Sequence, residues 1–170
     1  MELVEGTLTV ADTDALVERL GEIGDEHGCS VQAFDARYVA GREHLERAVA
    51  LADRAIDRGE NVARDRAVEI LLYAAGRRQI NQALEMGVGE GEGAAVVLVD
   101  AGGAGGDEAS AVEAVRAALD LEPTPTVGVE HADEERLQAF FDVTDAERAA
   151  TDATLADLVC ERVALLDVEK

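Results

Sequence analysis

Residues Arg64 to Val88, RDRAVEILLYAAGRRQINQALEMGV, join the most apolar helix of this chain to its densest arginine cluster. Ala67, Ile70, Leu71 and Ala74 recur at i, i+3, i+4 and i+7, one face of an α-helix, while Val68, Leu72 and Ala75 fill the other side. A helix that is apolar all round belongs in a core. Gly76 is placed to end it, because glycine enters the left-handed conformation without steric cost. A second, amphipathic helix is expected next, with Ile80, Ala83 and Leu84 inward, Gln79, Asn81, Gln82 and Glu85 outward, and Gly87 as its stop. Arg58, Arg64, Arg66, Arg77 and Arg78 stand at the ends of these helices, near Gly59 and Gly76.

Working outward, Leu3 to Val10 alternates as a strand, and Asp12 or Thr13 can cap a helix that turns Leu16, Leu20 and Ile23 inward and stops at Gly28. Val31 to Phe34 predicts a short strand. Arg42 to Arg58 predicts a half-buried helix with the stripe Leu45, Ala48, Val49, Ala52 and Ile56 and an outer Glu43–Arg47 pair. The apolar run Ala94 to Val99 suits the middle of a sheet. A helix over Asp107 to Leu119 follows, then an extended EPTPT link, a short strand over Val127 to Val129, and a helix over Asp133 to Phe141. Thr144 and Glu147 form a capping box. A last helix, about Asp152 to Leu166, is apolar enough either to be buried or to offer surface to a partner. The pattern predicts one α/β domain over 1–170, with a small mixed central sheet flanked by several helices.

Acidic residues number 37 against 15 basic, a net charge of -22, and the only lysine is Lys170. Carboxylates spread through a chain nearly free of lysine fit a halophilic source, where salt screens self-repulsion; an acidic partner-binding protein or a disordered acidic tail is the alternative. Cys29 and Cys160 are isolated and signal neither disulfide nor metal. MELVEGTLTV lacks the positive start of a leader, and no stretch approaches about 18 apolar residues. An intracellular, cytoplasmic protein without a membrane segment is expected.

Two sites compete for function. The loop AGGAGGDEAS, Ala101 to Ser110, sits where a dinucleotide fold cradles phosphate, and a small nucleotide-binding enzyme using Gly102 to Gly106 is one reading. Its spacing fails, since from Gly103 and Gly105 the third glycine falls on Glu108, and Asp107 and Glu108 repel phosphate. The arginine cluster is the other site: its guanidinium groups can contact phosphates, or they can pair internally with Glu60, Asp65 and Glu69. His27, His44 and His131 are scattered, and no motif signals a nucleophile, metal or cofactor.

The run EILLYAAGRRQINQALEMGV, the strand AAVVLVDA after a glycine-rich spacer, FFDVTDAER (Phe140 to Arg148) and LADLVCERV resemble the small kinase-binding accessory subunit of the KEOPS complex, which takes part in threonylcarbamoyladenosine modification of tRNA. The resemblance implies a non-catalytic subunit without cofactor that binds the atypical kinase subunit, meets other KEOPS subunits indirectly, and in archaea captures the single-stranded 3′ CCA end of tRNA. The matching RNA positions are Arg64, Arg77, Arg78, Gln79, Ile80, Asn81, Ala83 and Gly87. The matching kinase-contact positions are Leu155, Leu158, Val159, Arg162 and Val163. A protein-only kinase regulator without RNA contact is the other outcome. With salt removing the counterion-release contribution, RNA binding would rest on arginine contacts, hydrogen bonds and stacking, for which Tyr73 or Tyr38 could serve.

Overall fold

A computed structural model describes residues 1–103, 105–128 and 130–168. The chain divides into two compact units, one of residues 1–36 and 87–126, the other of residues 37–86 and 127–170.

The first unit holds a four-stranded sheet and two helices. Strands β1 (Glu2–Val10), β2 (Ser30–Asp35), β3 (Gly91–Asp100) and β4 (Leu121–Pro123) lie in the order β2-β3-β1-β4. The expected α/β class with a small central sheet is present, and all three strand pairings of that sheet are antiparallel rather than mixed. Helices α1 (Thr13–His27) and α5 (Glu108–Ala118), numbered in chain order, pack on it. Leu16, Leu20 and Ile23 of α1 meet Val4, Leu8, Val97, Val99 and Val115 in one aliphatic core. Asp12 caps α1 by accepting from the Ala15 N–H at 3.2 Å, and Gly28 ends it at φ 67°.

The EPTPT segment, residues 122–126, was expected to be only an extended link, yet Glu122 and Pro123 join Leu121 in β4. The prolines hold this segment extended, and Pro123 is tolerated because β4 is an edge strand. Gly6 admits it, since a Cβ there would lie 2.4 Å from the Glu122 carbonyl oxygen. The strand expected over Val127 to Val129 is not formed at Val127 and Gly128, and Val129 lies outside the described residues.

The second unit is helical: α2 (Arg42–Arg58), α3 (Arg66–Ala75), α4 (Ile80–Ala83), α6 (Glu134–Phe140), α7 (Asp145–Ala149) and α8 (Leu155–Val168). Helix α3 is its centre, packed by α2 and α8, with residues 69–75 all buried, as its all-round apolarity requires. Thr144 caps α7 by accepting from the Glu147 N–H at 3.1 Å, but the reciprocal half of the expected capping box is absent. Glu147 instead accepts from Arg162 at 2.6 and 2.9 Å. A reciprocal box does form at the start of α8, where the Thr154 N–H donates to Asp157 at 2.9 Å and the Asp157 N–H to Thr154 at 3.1 Å.

Candidate nucleic-acid interface

Helix α3 has ten residues, so it separates Arg64 from Arg77 by roughly 15 Å of axial rise. The arginines that are neighbours in sequence therefore form two groups, one at each end of the helix.

At the N-terminal end, none of the three acids considered as internal partners holds an arginine. Asp65 caps α3 by accepting from the Ala67 and Val68 N–H groups at 2.8 and 3.3 Å. Glu69 is buried and accepts from the backbone N–H groups of Val62 and Ala63 at 3.1 and 2.8 Å. Glu60 is exposed. Arg66 pairs instead with Asp53 of α2, through Nε and Nη2 at 2.6 and 2.9 Å. Arg58 and Arg64 are exposed and make no hydrogen bond or ion pair with a described residue.

At the C-terminal end, Gly76 stops α3 at φ 60°, as its position predicted. Arg77 folds inward, donating to the carbonyls of Gly76 and Phe140 with its guanidinium 4.6 Å from the centre of the Phe140 ring. Arg78 is exposed and without a partner among the described residues. Gln79 and Asn81 are exposed as well, Ala83 is fully buried, and Gly87 is half-buried.

The second helix is shorter than its pattern implied. Four α-helical residues, Ile80–Ala83, pass into a 3₁₀ turn over Leu84–Met86. The tighter turn puts residues three apart in line, so Ala83 and Met86 face inward. Ile80 and Leu84, expected inward, are 44% and 57% exposed. The result is a short ledge on which Arg78, Ile80 and Leu84 all face solvent.

Arg77 and Glu85, at the two ends of this ledge, line an open cleft of about 480 Å³ together with Tyr38, Arg136 and Phe140. The Tyr38 hydroxyl donates to Glu85 Oε1 at 3.1 Å and accepts from Arg136 Nη1 at 3.3 Å. The Arg136 guanidinium lies 5.4 Å from the centre of the Tyr38 ring, and the Tyr38 and Phe140 rings meet edge-on at 5.2 Å. Arg136 and Glu85 had no signal in the sequence, because their common neighbour Tyr38 is 98 and 47 positions away. Tyr73 is fully buried, with its hydroxyl 3.4 Å from Asp167, so it offers no stacking face.

On α8, Leu155, Leu158, Val159 and Val163 are buried in the unit that α8 shares with α2, α3 and α6. Arg162 donates to the carbonyls of Phe141 and Asp142 at 3.0 and 3.2 Å and to Glu147, and Asp142 has a left-handed φ of 53°. The solvent side of the helix instead carries Leu165 and Val168, which are 44% and 77% exposed.

The glycine loop has its amides occupied on both flanks. The Gly102 N–H donates to Asp100 at 2.8 Å, the Ala101 N–H to Glu108 at 2.9 Å, and the Ser110 N–H to Asp107 at 3.0 Å. Hydrogen bonds from Ser110 hold the Asp107 carboxyl below its usual range, so it stays ionised where a phosphate would sit. Ala104, in the middle of that loop, lies outside the described residues.

Among the described residues no helix is long and apolar enough to cross a membrane, and no three His, Cys, Asp or Glu side chains converge as a metal site. No individual curated protein matches the chain. Residues 9–167 match the family described as kinase binding protein CGI-121, a span that includes α3, the ledge, the cleft lining and nearly all of α8, and the chain belongs to that family of kinase-binding proteins.

Proposed function

We propose that this chain, taken as one accessory domain over 1–170, is a non-catalytic subunit of the KEOPS complex for tRNA threonylcarbamoyladenosine modification. It binds the atypical kinase subunit and recruits tRNA through its 3′ CCA end. The observation that carries the RNA part is the ledge after α3: in a chain of net charge -22, Arg78 has no partner among the described residues and stands beside exposed Ile80 and Leu84. A guanidinium for phosphate next to apolar side chains for an unstacked base is what a single-stranded end requires. Arg64, without a partner among the described residues at the other end of α3, would meet the backbone further along the tail.

The kinase contact is assigned to α8, with the buried stripe Leu155, Leu158, Val159 and Val163 holding the helix in place and exposed Leu165 and Val168 available to the partner. The acidity and the scarcity of lysine support a salt-rich cytoplasm as the setting.

Retention of tRNA with and without its CCA end, measured in concentrated potassium chloride, tests the reading. Loss of binding on removal of the CCA end is the expected result. Equal retention of both forms removes the 3′-end role, and no retention of either leaves a protein-only kinase regulator.

A further inference from the structure

We infer that the cleft beside Arg77 receives the terminal nucleoside of an RNA 3′ end by its free 2′,3′-diol, and disfavours an end closed by a phosphate. This rests on the RNA reading above and adds to it what the end must look like. The ledge between Arg77 and Glu85 begins and finishes at the cleft, so a strand held by Arg78, Ile80 and Leu84 has the cleft as its next stop.

The lining is short of free cations. Arg77 is committed to the Gly76 and Phe140 carbonyls and to the Phe140 ring. Arg136 is committed to Asp133, at 3.4 Å, and to Tyr38. Against these two stand the carboxylates of Glu85, Asp133 and Glu135, with Arg37 near enough for its charge to act on Asp133 and Arg136, so the cleft has no excess of positive charge to offer. A terminal phosphate, which bears about -1.5 to -2 charges and no reliable donor, has no matching partner there.

Hydroxyl donors do. Glu85 uses one oxygen on Tyr38, its other oxygen has no partner among the described residues, and Glu135 is exposed with both oxygens available. A carboxylate facing two adjacent hydroxyls is the arrangement by which acidic side chains recognise ribose. The guanidinium of Arg136, backed by Tyr38, offers a flat face for the base, and the volume of about 480 Å³ suits one nucleoside.

The test uses three short RNA oligonucleotides ending in CCA, with a free 3′ end, a 3′-phosphate or a 2′,3′-dideoxy terminus, read by fluorescence anisotropy in potassium chloride. The free end is expected to bind about 10-fold more tightly than either the 3′-phosphate or the dideoxy end, the scale of hydrogen bonds to a charged group. Glu85→Gln is expected to bring the free and dideoxy ends within about 2-fold of each other, because a neutral amide makes the weaker bond. Arg78→Glu weakens all three alike. Equal binding of the three by the unmodified chain, or full preference retained in Glu85→Gln, overturns the diol assignment while leaving the RNA reading intact if Arg78→Glu still weakens binding. Binding of none of the three removes the RNA reading and the cleft assignment together.

Discussion

The His44 ring on α2 donates from Nε2 to the carbonyl of Ala74, 2.8 Å away in the last turn of α3, while its Nδ1 accepts from the Ala40 N–H at 3.1 Å. Both ring nitrogens are thereby used and the ring is neutral. Burial lowers its pKa from 6.5 to about 4, although the Ala74 carbonyl works the other way. The bond secures the end of α3 two residues before Gly76, and so sets the position from which Arg77 and the ledge depart.

A depressed folded-state pKa means that the unfolded chain holds more protons between pH 6.5 and about 4. The contribution of this ring is therefore complete above pH 6.5 and is lost as pH falls toward 4, by about 3 kcal/mol in all. Urea titrations across that range, compared with His44→Gln, isolate the effect from the many carboxylates: the variant is expected to be less stable at pH 7 but to lose less on acidification.

The arginines divide into structural and free, and the division can be measured. Arg66→Ala removes the paired contact with Asp53 and is expected to cost about 1 kcal/mol at low salt, less as salt is added. Arg64→Ala and Arg78→Ala, which touch no described partner, are expected to stay within about 0.5 kcal/mol of the parent in chemical denaturation. If RNA binding falls for these two and not in proportion to stability, the free pair is functional.

Glu69→Ala leaves the N–H groups of Val62 and Ala63 without an acceptor, one of them buried, and is expected to destabilise the chain by about 2 kcal/mol. Hydrogen exchange at residues 61–65 is the more specific readout, because the carboxylate is what holds that loop. Faster exchange confined to the loop would confirm the clamp.

Gly76→Ala forces a side chain into the left-handed cap and is expected to cost about 1 kcal/mol, even though the added Cβ would be no nearer than 3.6 Å to the Arg162 carbonyl oxygen. Thermal denaturation measures it. The cost comes from backbone conformation and not from crowding, so Gly76→Asn should recover part of it.

On α8, Leu158→Arg buries a charge in the core and is expected to unfold the chain by more than about 4 kcal/mol, so a loss of kinase binding there would not locate an interface. Leu165→Asp, on the exposed side, should leave the fold intact in circular dichroism and weaken co-purification with the kinase subunit. Unchanged co-purification would move the contact off this face.

Helix α3, its stop at Gly76, a cap at Asp12 or Thr13, the span of α2 and the placing of Ala94 to Val99 in the sheet were legible in the chain, because periodicity and end signals act over a few neighbouring residues; the structure chose Asp12 and left Ala94 exposed. Leu84 was misassigned for a local reason: period 3.6 was applied where a 3₁₀ turn begins, and the buried face passed to Ala83 and Met86, while Ile80, also expected inward, opens α4 ahead of that turn and is exposed. Residues 121–123 became β4 because an edge partner at Gly6 to Leu8 was available, which no local pattern states.

The site divides in the same way. The sequence alone determined that arginines gather around α3 in an acidic chain, that α3 is buried, and which family's motif the chain carries. Only the tertiary structure decided which arginines are free, since Asp53 captures Arg66 from another helix and Phe140 captures Arg77 across 63 positions. It alone assembled Tyr38, Glu85 and Arg136 into one cleft, because the packing of helices, and not spacing along the chain, sets which distant side chains share a hydrogen bond.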